Sequence, residues 1–269
     1  LSWDDSRPDP GDFPTGPGRF PDRTGVLALV AGNSAADPRT MTTHTFTPPT
    51  NTTNRYGPRA AVLIATVGPL SIAALRGLLP YDTVDDATTI AAKVAAHPTA
   101  ESAVLWLSYL ALLTMPLAVL IVSRVAMRAR PVLGTVAAVV AWVGFTGVAF
   151  LITPDLVAQA ATAAGLPTAT TAALLTAIDG NPVASTALLL FIIGHILGTV
   201  LLGLALWPVT PRWAAVALIV SQPLHFVVAV IVPNHPLDTL AWILTTIGFT
   251  AAATATGLTT DRATLSPPR

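Results

Sequence analysis

Cysteine is absent from this 269-residue chain, and charge is scarce: Asp, Glu, Lys and Arg make up 10% of it, against about 25% in an average soluble domain. The first absence excludes disulfides, thiolate metal sites, iron–sulfur clusters and cysteine nucleophiles. The second is unevenly distributed. Six windows, at residues 60–79, 103–123, 132–152, 184–207, 213–232 and 240–258, carry one formal charge between them, Arg76. No water-facing surface can be built from such stretches, so a soluble globular domain is excluded. Lysine occurs only at Lys93, outside every window, which excludes a retinal Schiff base. The 14 basic and 14 acidic residues cancel, and no basic patch is present to attract nucleic acid. Phosphate-binding loops, dinucleotide fingerprints, Gly-x-Ser-x-Gly elbows, His-Glu-xx-His helices and arginine ladders are missing as well.

What remains is 52% hydrophobic, and it is arranged for a bilayer. Crossing a hydrocarbon core of about 30 Å takes about 20 apolar residues as a helix. Each window meets that length, so the expected fold is all-α: a polytopic bundle of six transmembrane helices over residues 60–258. A disordered leader precedes it over residues 1–59, and a short tail follows over residues 259–269. Arg55, Arg59, Arg124, Arg128, Arg130, Arg212, Arg262 and Arg269 all fall on one side if the spans alternate. The other side receives Arg76 and Lys93, with Asp82, Asp85, Asp86, Glu101, Asp155, Asp179 and Asp238. By the positive-inside rule both termini are cytoplasmic, in a bacterial cytoplasmic membrane. The preference for arginine, alanine and valine fits a high-GC bacterial genome.

The leader is rich in proline and has no helical or alternating period. Its one apolar run, residues 25–32 (GVLALVAG), mimics the core of a signal peptide. Met41 opens a plain stretch leading straight to the first span, so residues 1–40 are expected to lie outside the native product.

On the outer side, residues 82–97 read as a short helix with acids at its amino end, where the helix dipole favours them. Residues 154–182 read as two short helices split by Gly165-Leu166-Pro167 and ended by Gly180, lying as caps on the interface. Pro69, Pro116 and Pro223 should kink their helices. Gly194-xxx-Gly198 and Gly248-xxx-Ala252 offer flat faces for close helix contact, within the chain or between copies. Trp207, Trp213, Trp106 and Trp242 fall near span ends, where amphipathic rings favour the interface. Trp142 sits mid-span, where packing explains it.

Polar groups inside the spans are few, and their depth follows from 1.5 Å per residue. Measured from the outer edge, His195 lies at roughly 16 Å, Gln222 at roughly 15 Å, His225 at roughly 10 Å, Tyr109 at roughly 9 Å and Arg76 at roughly 5 Å. His235 and Asp238 sit at the mouth. All seven occupy the outer half or the midplane, which points to a polar pocket opening outward. A His195–Gln222 hydrogen bond would equally serve as interhelical glue, and Arg76 has Asp238 or Asp82 to pair with.

The leading expectation is a non-enzymatic membrane protein without a cofactor. It binds or passes a small molecule or ion at His195, Gln222, His225, Tyr109, Asp238 and Arg76, with the lipid bilayer as its other partner. Ser221-xxx-His225 resembles the Ser-xxx-His element of the alkaline-ceramidase and progestin-receptor-type membrane hydrolases. That resemblance implies a zinc-activated water, with His195, His225, His235 and Asp238 as ligands here; it covers one helix, and the family's seven-helix arrangement and later His-xxx-His pair are missing. Bis-histidine haem is disfavoured by the depth offset of roughly 6 Å between His195 and His225. A purely structural or accessory subunit is the third reading. From residue 60 to 258, Pro211-Arg212-Trp213-Ala214, Ser221-Gln222-Pro223-Leu224-His225, Leu237-Asp238, Trp242 and Gly248-Phe249 make the chain similar to uncharacterised six-helix membrane proteins of high-GC bacteria. That resemblance implies location and fold, and no activity.

Overall fold

The computed structural model describes residues 56–264, with side chains over 57–255; the expectations for residues 1–55 and 265–269, Met41 and the signal-like run included, lie outside the described residues. No strand occurs among the described residues. The helices are α1 (Tyr56–Leu78), α2 (Ala87–Ala96), α3 (Pro98–Ala129), α4 (Pro131–Thr146), α5 (Val148–Ala163), α6 (Thr168–Asp179), α7 (Pro182–Leu206), α8 (Arg212–Phe226) and α9 (His235–Thr264). A π-helical turn, Val227–Ile231, extends α8. Six of the resulting rods are long and apolar enough to cross a bilayer: α1, α3, α4 with α5, α7, α8 with its π turn, and α9. The chain is a multi-pass membrane protein.

Local chemistry starts and stops these helices. Proline occupies the first turn of α3, α4 and α7, where its missing N–H costs nothing. Asn181 caps α7 by accepting from Val183 N at 2.9 Å. Asp86 caps α2 through Thr89 N at 2.7 Å, a bond that holds its carboxyl below the ordinary range. Lys93 reaches back to Asp85 at 2.6 Å, which raises the lysine and lowers the acid. Gly165, at φ +70°, makes the left-handed turn between α5 and α6. One boundary differs from expectation. The third span breaks at Gly147, and α5 then runs on through Pro154 rather than starting there. Helices α1 and α3 continue uninterrupted past Pro69 and Pro116.

The spans close a ring in which each helix packs on its sequence neighbours: α1 on α3, α3 on α4, α4 on α7, α7 on α8, α8 on α9, and α9 back on α1. At 32 residues, α3 is about 48 Å long, well beyond a hydrocarbon core. At its amino end, hereafter the cap end, α2 packs on α5 and α6. There Ala91, Val94, Ala158, Ala172 and Leu175 form a small second core, so the caps bury an apolar face against one another.

The main core is built mainly from alanine, with Met115, Phe145, Leu202, Trp242 and Phe249 as its large members. Long aliphatic side chains such as Leu113, Leu117, Leu189 and Ile193 point outward. Lipid is as apolar as leucine, so helices in a bilayer associate by close fit rather than by hydrophobic burial. A Cβ on Gly194 would stand 2.5 Å from Gly144 Cα, and one on Gly198 would stand 2.5 Å from Ala141 Cα. Gly248 is closed by Leu218 in the same way, at 2.4 Å. Both small-residue faces therefore pack on helices of this chain. Trp142, expected to pack inside, is 37% exposed, and Trp242, expected at an interface, is 1% exposed.

Backbone contact across the α4–α7 seam leaves no room for a methyl group. Gly194→Ala should lower unfolding free energy by about 1–3 kcal/mol through overpacking, despite a gain in helix propensity of about 1 kcal/mol. At Gly180 the nearest atom to an added Cβ is 3.4 Å away, so Gly180→Ala should stay within about 0.5 kcal/mol of the parent. Unfolding in mixed detergent measures both; equal stabilities for the two variants would contradict the seam.

Candidate functional site

Two irregular rods flank one cavity near the cap end. The third span is interrupted at Gly147, and the fifth passes into its π turn four residues after Pro223. Between them lies a cavity of about 230 Å³, bounded also by α1, α3, α7 and α9. Its wall is largely aliphatic, with Ile72, Leu75, Leu151 and Ile196 among the contributors. Polar groups come from Arg76, Tyr81, Ser108, Asp155, His195 and His225.

Asp238, in the first turn of α9 and 1% exposed, organises the polar side. Its Oδ2 accepts from Arg76 Nε and its Oδ1 lies 2.5 Å from His225 Nδ1. The guanidinium also donates to Thr83 Oγ1 at 2.8 Å. A carboxylate already paired with arginine can only accept, so His225 Nδ1 carries the ring proton. The indole Nε1 of Trp242, 3.2 Å from that same Nδ1, therefore faces a donor. His235 reaches Arg76 O at 3.0 Å and Asp82 Oδ1 at 2.8 Å, tying α9 to the connection after α1. Across the cavity, Tyr81 donates to Asp155. Burial, and secondarily the charge of Asp155, push the Tyr81 phenol well above its ordinary value, so it stays protonated.

His195 is the innermost member. It is 1% exposed and stacks on Phe191 at 4.2 Å, with Trp242 nearly parallel at 6.2 Å and the His225 ring at 5.6 Å. Its Nδ1 lies 2.5 Å from Phe191 O, and its Nε2 is buried without a partner.

Four of the six residues expected to bind come together: Arg76, His195 and His225 line the cavity, and Asp238 stands behind two of them. The other two do not join them. Gln222 is fully buried and donates to Thr245 Oγ1 at 2.6 Å rather than meeting His195. Tyr109 is 51% exposed on the outer face of α3, edge-on to Trp106. Of Arg76's two expected partners, Asp238 is the one taken. Ser221 is fully buried and donates to Leu218 O at 3.1 Å. No group of three or more His, Cys, Asp or Glu among the described residues is placed to hold a metal ion, so the ligand set implied by the hydrolase resemblance is not gathered.

Tyr81, Asp155 and Trp242 escaped sequence reasoning. Tyr81 and Asp155 fell in segments read as connections, where acids look solvated, and Trp242 was read as an interface residue. Glu101 was counted among the outer charges but is fully buried, with neither carboxyl oxygen partnered. The available signal was the continuous helical pattern across Pro154, which would have drawn Asp155 into the third span. No family model matches the chain, and no curated protein or solved structure matches it.

Removing one partner of a buried ion pair leaves the other uncompensated. Asp238→Ala should therefore cost about 3–5 kcal/mol of stability, while Arg76→Met with Asp238→Leu should cost less than that single change. A double-mutant cycle in detergent measures the coupling; additive losses would show that the pair does not interact.

Proposed function

We propose that this protein binds a small, mostly apolar molecule in the cavity beside His195 and His225, and that it does so as a six-span protein of a bacterial cytoplasmic membrane with both termini inside. The observation that carries the binding reading is the cavity itself. Its volume of about 230 Å³ is bounded by aliphatic walls with a few convergent polar side chains, the composition of small-molecule sites. Structural glue accounts for Gln222, whose side-chain amide donates across to Thr245 on α9. It does not account for His195, whose Nε2 has no hydrogen-bond partner.

Charge placement supports the orientation. Arg124, Arg128, Arg130 and Arg212 gather at the end opposite the caps. The two cations at the cap end are both paired, Arg76 with Asp238 and Lys93 with Asp85. Those four arginines against two cations make the cap end the outer one. The cavity opens on the side away from the cytoplasm.

Two measurements test these statements. The chain has no cysteine of its own, so single cysteines report topology cleanly. Gly165→Cys should react with a membrane-impermeant maleimide on intact cells, and Arg130→Cys only after permeabilisation; the reverse pattern would invert the orientation. In lipid nanodiscs, phenylalkanes or phenylalkanols of about ten heavy atoms should bind saturably. Ile192→Trp, which fills the cavity from α7, should abolish that binding. Saturable binding that survives Ile192→Trp would move the site elsewhere.

A further inference from the structure

We infer that the molecule taken by this cavity carries a hydrogen-bond donor head, a hydroxyl or a protonated amine, which His195 Nε2 receives. The inference rests on the binding reading above and adds the chemistry of the ligand.

The argument starts from a ring whose proton can be placed. His195 Nδ1 lies 2.5 Å from Phe191 O. A carbonyl oxygen can only accept, so Nδ1 holds the proton of the neutral imidazole and Nε2 is left with a lone pair. That lone pair is buried and unmet, on a residue that lines the cavity. An unmet buried acceptor is destabilising, and the group that relieves it must bring a proton. His225 repeats the pattern. Its Nδ1 is likewise committed, to Asp238, on a ring 5.6 Å from that of His195.

The charged donor, Arg76, and the Tyr81 hydroxyl are already engaged, which leaves an anion only the neutral donors Ser108 Oγ–H and Trp242 Nε1–H. Arg76 is bonded to Asp238 and Thr83, and the Tyr81 hydroxyl to Asp155. Asp238 and Asp155 hold these donors, so a carboxylate or phosphate head would have to compete with two acids for them. A pure hydrocarbon would leave Nε2 unmet. The faces of Phe191 and Trp242 flank the His195 ring, and aromatic faces also attract an ammonium. At about 230 Å³, the space falls between a 150 Å³ cavity that holds benzene and the ~300–1,000 Å³ of drug-sized sites, which sets the body at about ten heavy atoms.

The test uses the full chain in lipid nanodiscs and five probes of matched size: 2-phenylethanol, 2-phenylethylammonium, benzyl methyl ether, propylbenzene and phenylacetate. Ile192→Trp measures uptake outside the cavity for each. The alcohol or the ammonium should bind at least about tenfold more tightly than the ether and the hydrocarbon, the value of one good hydrogen bond. Whichever of the two leads identifies the head as neutral or cationic. His195→Phe keeps a ring in the stack and should bring the alcohol and the ether to within about twofold of each other. If that variant does not fold, the 15N signal of His195 Nε2 in histidine-labelled parent protein decides: it should shift with the alcohol or the ammonium and stay still with the ether. Ether or hydrocarbon binding as tightly as both donors, or phenylacetate binding best, overturns the donor head and leaves the cavity reading intact. No probe binding beyond its Ile192→Trp control overturns the cavity reading, and the donor head falls with it.

Discussion

The carboxylate of Asp238 sets the geometry of the cap end. A charge inside an apolar bundle costs several kcal/mol unless partners surround it. Asp238 meets that demand with Arg76 from α1 and His225 from α8, while His235, three residues earlier, binds the connection after α1. Those partners come from different parts of the ring, so meeting them fixes three helices relative to one another. It also fixes chemistry. Pairing turns the guanidinium toward Asp238 and Thr83, and it places the ring proton of His225 on the nitrogen away from the cavity. The character of the wall follows from an interaction made behind it.

Toward the other end the same bundle is held by a different principle. Glycine and alanine let α4 and α7 approach until their backbones touch, which gives dispersion contacts that long side chains would prevent. Such packing leaves no voids. Toward the cap end the third span is interrupted at Gly147 and the fifth passes into a π turn over Val227–Ile231. Phe191, Trp242 and the two histidines line the cavity there. The cavity thus lies between two helix irregularities, the turn at Gly147 and the π turn at Val227–Ile231.

Much of this could be read from the residues. A run of about 20 apolar positions has one stable form in a bilayer, so the number of spans and their approximate limits followed from hydropathy alone. The grouping of Arg76, His195, His225 and Asp238 followed from depth, since residues at one level in a closed ring of helices have few places to go. Azimuth was harder. Tyr109 shares a level with the cavity but points outward, and Gln222 shares one with His195 but turns to Thr245. Depth is set by counting, whereas azimuth depends on which faces the small residues bring together. Tyr81 and Asp155 were hidden for another reason: acids and phenols near span ends look solvated until a cap is seen to cover them.

Glu101 and His195 both carry buried side-chain atoms without partners, and their situations differ. Glu101 lies in the first turn of α3, where the positive end of the helix dipole stabilises a carboxyl group without any ligand. His195 stands midway along α7, where every amide is committed to the helix and no dipole end is near. Its Nε2 has no internal source of relief, and the ring cannot turn the nitrogen elsewhere without breaking the bond to Phe191 O and the stack on Phe191. The unmet acceptor in the cavity is thus held in place by the same contacts that define it. Only something entering from the cavity side can satisfy it.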